Sequence, residues 1–153
     1  MRYQADNFLM SAALKKLAVD QVQQANSGHP GMPMGFSDVA TVLWSRVLRF
    51  DPSQPRWFDR DRFILSNGHG SALHYALLHL TGHPLSLDDC RNFRQIHSPT
   101  PGHPERDPDI GIEVTTGPLG QGLANACGIM MAKKHLNARL NDCLTFKTYV
   151  VVG

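Results

Sequence analysis

Four short stretches built from Gly, Pro and small polar residues cut this chain into pieces. They are Ser27-Gly28-His29-Pro30-Gly31, Ser66-Asn67-Gly68-His69-Gly70-Ser71, Thr100-Pro101-Gly102-His103-Pro104-Glu105 and Thr116-Gly117-Pro118-Leu119-Gly120-Gln121-Gly122. Glycine favours backbone shapes that other residues avoid, and proline removes a donor and fixes φ, so such stretches neither extend a helix nor sit inside a sheet. Whatever regular structure the chain has must lie between them. At 153 residues it has room for one domain with its own core.

The intervening segments read as short helices alternating with apolar strands. Leu14, Leu17, Ala18, Val22 and Ala25 recur at helical spacing, which predicts a helix over roughly 5–25, with Gly28 as its left-handed cap. The segment from His29 to Gly35 reads as a loop, and a second helix is expected to open near Ser37 and run to about Val47. A Pro-rich connection over 51–57 leads to Phe63-Ile64-Leu65-Ser66, a run suited to a buried strand. Ser71 to Leu80 reads as a helix stopped by Thr81-Gly82. Ser86 and Asp89 form a capping box that opens a short helix to about Gln95. A further helix follows Gly122 to about Leu140, and Thr145 to Val152 has the β-branched and aromatic content of a buried strand. Helices alternating with such strands predict an α/β domain, a parallel sheet flanked by helices.

Three of the four stretches present a histidine where small neighbours let backbone approach a ligand. Imidazoles so placed can donate to phosphate or hydroxyl oxygens and move protons near neutral pH. The fourth stretch is a Gly-rich lead-in to a helix, able to expose backbone N–H groups, but it lacks the Lys-Ser/Thr ending of a triphosphate loop. A zinc site is the rival use for eight histidines. His69, His74, His79 and His83 are mostly spaced by five, which scatters them around a helix, and neither HExxH nor Cys-x-x-Cys occurs. His74, His79, His97 and His135 read as surface or satisfied structural residues.

Taken together, in order and spacing, the four stretches resemble the successive motifs of transketolases, and Asp59-Arg60-Asp61-Arg62-Phe63 fits the same family. The likeness covers nearly the whole chain. Deoxyxylulose-phosphate synthases share the cofactor but differ in these loops, whereas dihydroxyacetone synthase is not separated by this stretch. The resemblance implies the thiamine-diphosphate-binding fold and an enzyme moving a two-carbon ketol unit from a ketose phosphate to an aldose phosphate, in the pentose phosphate pathway. By motif, His69 would lie against the diphosphate and thiazolium, and His29 and His103 would hold the ketol hydroxyls and pass protons. Gly117, Pro118 and Leu119 would meet the aminopyrimidine, through the backbone at Gly117 and the side chain of Leu119. The family's divalent metal, Mg2+ or Ca2+, is held by an Asp-Gly that would follow Gly153 and by a later Asn, so no metal ligand is expected within this chain. The resemblance maps residues 1–153 onto the N-terminal part of the diphosphate-binding domain, without the pyrimidine-binding and C-terminal domains. It also implies a homodimer with its active site between subunits.

From this follows the expectation that the 153 residues alone do not turn over, a reading that measurable ketol transfer by the purified chain would sink. A subunit of a split enzyme, or a non-catalytic interaction module, is the rival reading. An unpaired apolar edge on the last strand makes poor solubility the expected behaviour. A formal charge of +2 without a basic stripe speaks against nucleic acid as a partner. No apolar stretch is long enough to span a bilayer. Cys90, Cys127 and Cys143 lack metal spacing and read as buried or half-buried thiols of a reducing compartment, which makes the cytoplasm the expected location.

Overall fold

The computed structural model describes residues 2–153, with side chains from Asp6 onward. The described elements run α1 (Arg2–Ala25), α2 (Gly31–Val42), β1 (Arg62–Leu65), α3 (Ser71–Leu80), α4 (Leu87–Arg91), α5 (Gln121–Arg139) and β2 (Thr148–Val151). The two strands pair in parallel, Arg62 opposite Thr148 through Leu65 opposite Val151. A parallel pair needs a long crossover, here supplied by α3, α4 and α5.

Side chains alternate across the strands and so define two layers. Phe63, Leu65, Tyr149 and Val151 join the core formed with Leu14 and Ala18 of α1, Ala40 of α2, and Leu73, Leu77 and Leu78 of α3. On the other face lies α5, where Thr148 Oγ1 reaches Met130 Sδ. Each fully buried leucine of this core contributes about 2 kcal/mol relative to exposure. Ahead of β1, Asp59 accepts the backbone N–H groups of Thr145 and Phe146, and Asp61 accepts those of Arg49 and Lys147. These two carboxylates fasten the entry of β2 to that of β1. Donation by Thr145 is the main reason that the Asp59 carboxyl drops to about 2.

Several local expectations are corrected. The cap of α1 is Asn26 (φ 47°), with Ser27 N–H on Val22 O and Asn26 N–H on Gln23 O, rather than Gly28. Gly28 serves for close approach instead, since a Cβ there would come within 2.9 Å of Val22. The second helix opens at Gly31, six residues before Ser37. Pro33 sits in its first turn, where a missing N–H costs nothing, and Ser37 is buried mid-helix with its hydroxyl on Pro33 O. A wide turn over Leu43–Val47 then carries the chain out. The capping box at Ser86 and Asp89 is present as expected, but α4 ends at Arg91, short of Gln95.

Burial is corrected as well. Most of β2 is half-buried rather than buried, and α5 buries only Gly122 and Ala126. Among the described residues β2 has β1 as its single strand partner, so little packs over either element. Cys90 is buried, but Cys127 on the outer side of α5 and Cys143 in the turn before β2 are exposed. His79 is satisfied by Leu85 O at 3.0 Å, whereas His74 is buried with neither ring nitrogen partnered. No described helix is long and apolar enough to cross a membrane.

Candidate active site

The carboxyl end of a strand in an open α/β sheet is where ligands are received, and β1 ends here in Ser66-Asn67. The next residues turn tightly through Gly68–Gly70 and start α3, which presents His69 at the rim. His29 arrives from the link between α1 and α2. Its ring meets that of His69 edge to face, centroids 5.0 Å apart. The ring of His103 meets the other side of His69 in the same manner at 4.8 Å. Three imidazoles from three loops, separated by 40 and 34 positions in the chain, thus form one continuous row.

The row is held from beneath by α3. Ser71 Oγ donates to Gly102 O at 2.7 Å and Tyr75 Oη to Pro101 O at 2.8 Å, which fixes the loop bearing His103. Thr116 N–H bonds Pro104 O and brings the fourth stretch alongside. Gly117 lies against His103 with φ 151°, a conformation that favours glycine, and a Cβ there would sit 3.3 Å from the ring. Gly68 touches the same segment so closely that a Cβ would come within 2.9 Å of Gly117 N. Farther out on that segment, Pro118 and Leu119 are exposed, Leu119 by 74%. The amino end of α5 rests on Ser66, whose hydroxyl accepts Leu123 N–H at 3.2 Å. The start of α3 is at the same rim, so two helix amino ends favour negative charge there.

Burial pushes the His103 imidazole below its ordinary range, helped by the neighbouring charges of His69, Arg94 and His29. A ring kept neutral can both accept and donate a proton. His103 Nε2, Asn67 Oδ1 and Thr116 Oγ1 are buried at this rim without partners in the chain, polar groups suited to a ligand. Gly153 also borders it, against Asn67. The described residues hold no cluster of three His, Cys, Asp or Glu arranged to bind a metal ion. Arg94, which touches two of the loops, carried no signal in the sequence, because its position depends on contacts remote along the chain.

An α/β rim lined by three imidazoles and close-packed glycines, beside two helix amino ends, has the make-up of an anion-binding class of site. The family model described as "Transketolase, thiamine diphosphate binding domain" matches residues 7–153, and the chain belongs to the transketolase family. It is 57% identical over 152 residues to Transketolase 2 of Vibrio parahaemolyticus, an alignment covering 97% of this chain and 23% of that protein. Among solved structures, transketolase from Leishmania mexicana superposes with a TM-score of 0.91 at 51% identity, covering 94% of this chain and 22% of that one. Transketolase from Campylobacter jejuni gives 0.89 at 50% identity, with 94% and 23% covered. A transketolase from Pichia stipitis in complex with sedoheptulose-7-phosphate gives 0.86 at 45% identity, with 96% and 22% covered. The chain thus spans a little over a fifth of the length of these relatives.

Proposed function

We propose that residues 1–153 form the thiamine-diphosphate-binding face of a transketolase, which transfers a two-carbon ketol unit between sugar phosphates. The observation that carries this reading is the row of three imidazoles against Gly117. When bound, the cofactor supplies a nucleophilic carbon and an electron sink. The protein's own part is to bind, orient and move protons. His69, central in the row, donates to the diphosphate. His29 and His103 flank it and hydrogen-bond the hydroxyls of the ketol unit, and His103, held neutral, takes and returns a hydroxyl proton at Nε2. The backbone at Gly117 meets the aminopyrimidine edge, Pro118 shapes the turn, and exposed Leu119 gives that ring an apolar surface.

A divalent cation, Mg2+ or Ca2+, neutralises the diphosphate in this proposal, with its protein ligands drawn from outside residues 1–153. Cytoplasmic location, the pentose phosphate pathway and a homodimer with a shared site belong to the same proposal. So does the choice of substrate, which rests on the sugar phosphate bound by the Pichia stipitis relative.

The test is a chimera in which residues 1–153 replace the matching segment of the Vibrio parahaemolyticus enzyme. Ketol transfer dependent on thiamine diphosphate is expected. His103→Ala in that chimera is expected to lower kcat by roughly 100-fold, the usual cost of losing a positioned acid–base group. An inactive but folded chimera, or a His103→Ala variant with unchanged kcat, counts against the reading.

A further inference from the structure

Arg94 stands outside the roles assigned above, yet it touches two of the histidine loops. Its backbone has φ 62°, rare for a long side chain and costly by about 1–2 kcal/mol. That conformation is anchored by Arg94 N–H on Thr100 O at 2.9 Å, and Thr100 is itself fully buried with its hydroxyl on Asp89 O. From there the side chain reaches 67 residues back, where Nη1 donates to Ser27 Oγ at 2.8 Å, two positions before His29. Its Nε–Cζ–Nη2 edge lies over Gly102, the residue before His103, so closely that a Cβ there would sit 3.0 Å from Nε. The Nε itself is buried and unpartnered. No described carboxylate comes within salt-bridge distance of Arg94. Strained backbone, a half-buried charge and an unfilled donor are tolerated together where the surroundings demand that geometry.

We propose that Arg94 is a positioning residue, a clamp that joins the loop of His29 to the loop of His103 and so sets how both rings face His69. The planar fork is the reason for arginine: one end reaches Ser27 while the flat face covers Gly102, which a lysine ammonium cannot do. The charge has a second effect, opposing protonation of His103 alongside His69 and His29, the other groups that face it. The proposal rests on the reading of the imidazole row as the working site.

The test uses the 153-residue chain with its histidine rings labelled for nuclear magnetic resonance. The parent is expected to show ring-to-ring contacts for His29 with His69 and for His69 with His103. Arg94→Met is expected to lose them, and the His103 titration should move up toward the ordinary imidazole value. Arg94→Lys keeps the cation but not the planar fork, so it too is expected to lose the ring contacts. Unchanged contacts in both variants overturn the clamp. Should Arg94→Met melt out, Ser27→Ala decides, since it removes one hydroxyl and no charge: a weakened His29 contact supports the clamp and an intact one overturns it. If the chimera described above transfers no ketol units while Arg94→Met still separates the rings, the functional reading falls and the clamp stands.

Discussion

Gly122→Ala is expected to destabilise the fold by about 3 kcal/mol, a large part of the total for a domain of this size. Gly122 lies in the first turn of α5, where the helix crosses the end of β1. A Cβ there would come within 2.5 Å of Ser66 Cα and 2.7 Å of its Cβ, backbone against backbone, with no side chain free to swing away. The helix would have to lift, and lifting it breaks the bond from Leu123 N–H to Ser66 Oγ at the rim of the site. Gly128, six residues along the same helix, is exposed with nothing within 4 Å of its would-be Cβ. Gly128→Ala is therefore expected to act in the opposite sense and stabilise by about 1 kcal/mol through helix propensity. Urea melts of the two variants beside the parent check both signs. A Gly122→Ala variant that melts with the parent would show that α5 is not seated as described.

The second large effect is on acid stability. His74 is 2% exposed, packed among Trp44, Phe63 and Tyr75, and burial drives its pKa down to about 3, with a smaller push from His83. His83 is stacked on Phe50, and burial lowers it to about 4. Both rings are neutral in the folded chain over a range where the unfolded chain, with pKa near 6.5, takes up protons. Stability is therefore full above about pH 6.5. It falls as the pH drops below that value, by up to about 1.4 kcal/mol per pH unit for each ring, until the folded values are reached. By about pH 4.5 the two together remove roughly 5 kcal/mol. His74→Leu, close in volume and without orphaned ring nitrogens, is expected to stabilise by about 1–2 kcal/mol at pH 7 and to shift the acid midpoint downward. Chemical denaturation at a series of pH values measures both effects. A flat profile between pH 7 and 5 would overturn the argument.

What the sequence revealed and what it hid divide along local and non-local lines. The strand at Phe63-Ile64-Leu65, the stop at Thr81-Gly82 and the capping box at Ser86 and Asp89 depend on neighbours within four residues, and all are found in place. The start of α2 was hidden because Pro33 looks like a breaker until it lies in a first turn. The burial of His74 was hidden because a histidine inside an apolar helix gives no sign of what packs over it. In the site, the composition of the four loops marked His29, His69, His103 and Gly117, and the fold places all four at one rim. The row itself, ring on ring, arises from contacts between loops. Arg94 is the extreme case: a left-handed arginine held by Thr100, reaching Ser27, has no pattern that a linear reading can detect.

The fastening of Asp59 and Asp61 to the residues entering β2 also bears on the order in which the protein assembles. The register pairs Arg62 with Thr148, so closing the sheet joins segments 86 positions apart. The entropic penalty of closing so long a loop must be met before any pairing repays it, and contacts of this range slow folding. Contacts of α1 with α3 close shorter stretches of chain, as where Gln21 Nε2 donates to Ala72 O across 51 positions. By the range of their contacts the two carboxylates act as a late latch on the sheet, and Asp59, held down at about 2, stays charged through the acid range in which His74 and His83 weaken the fold.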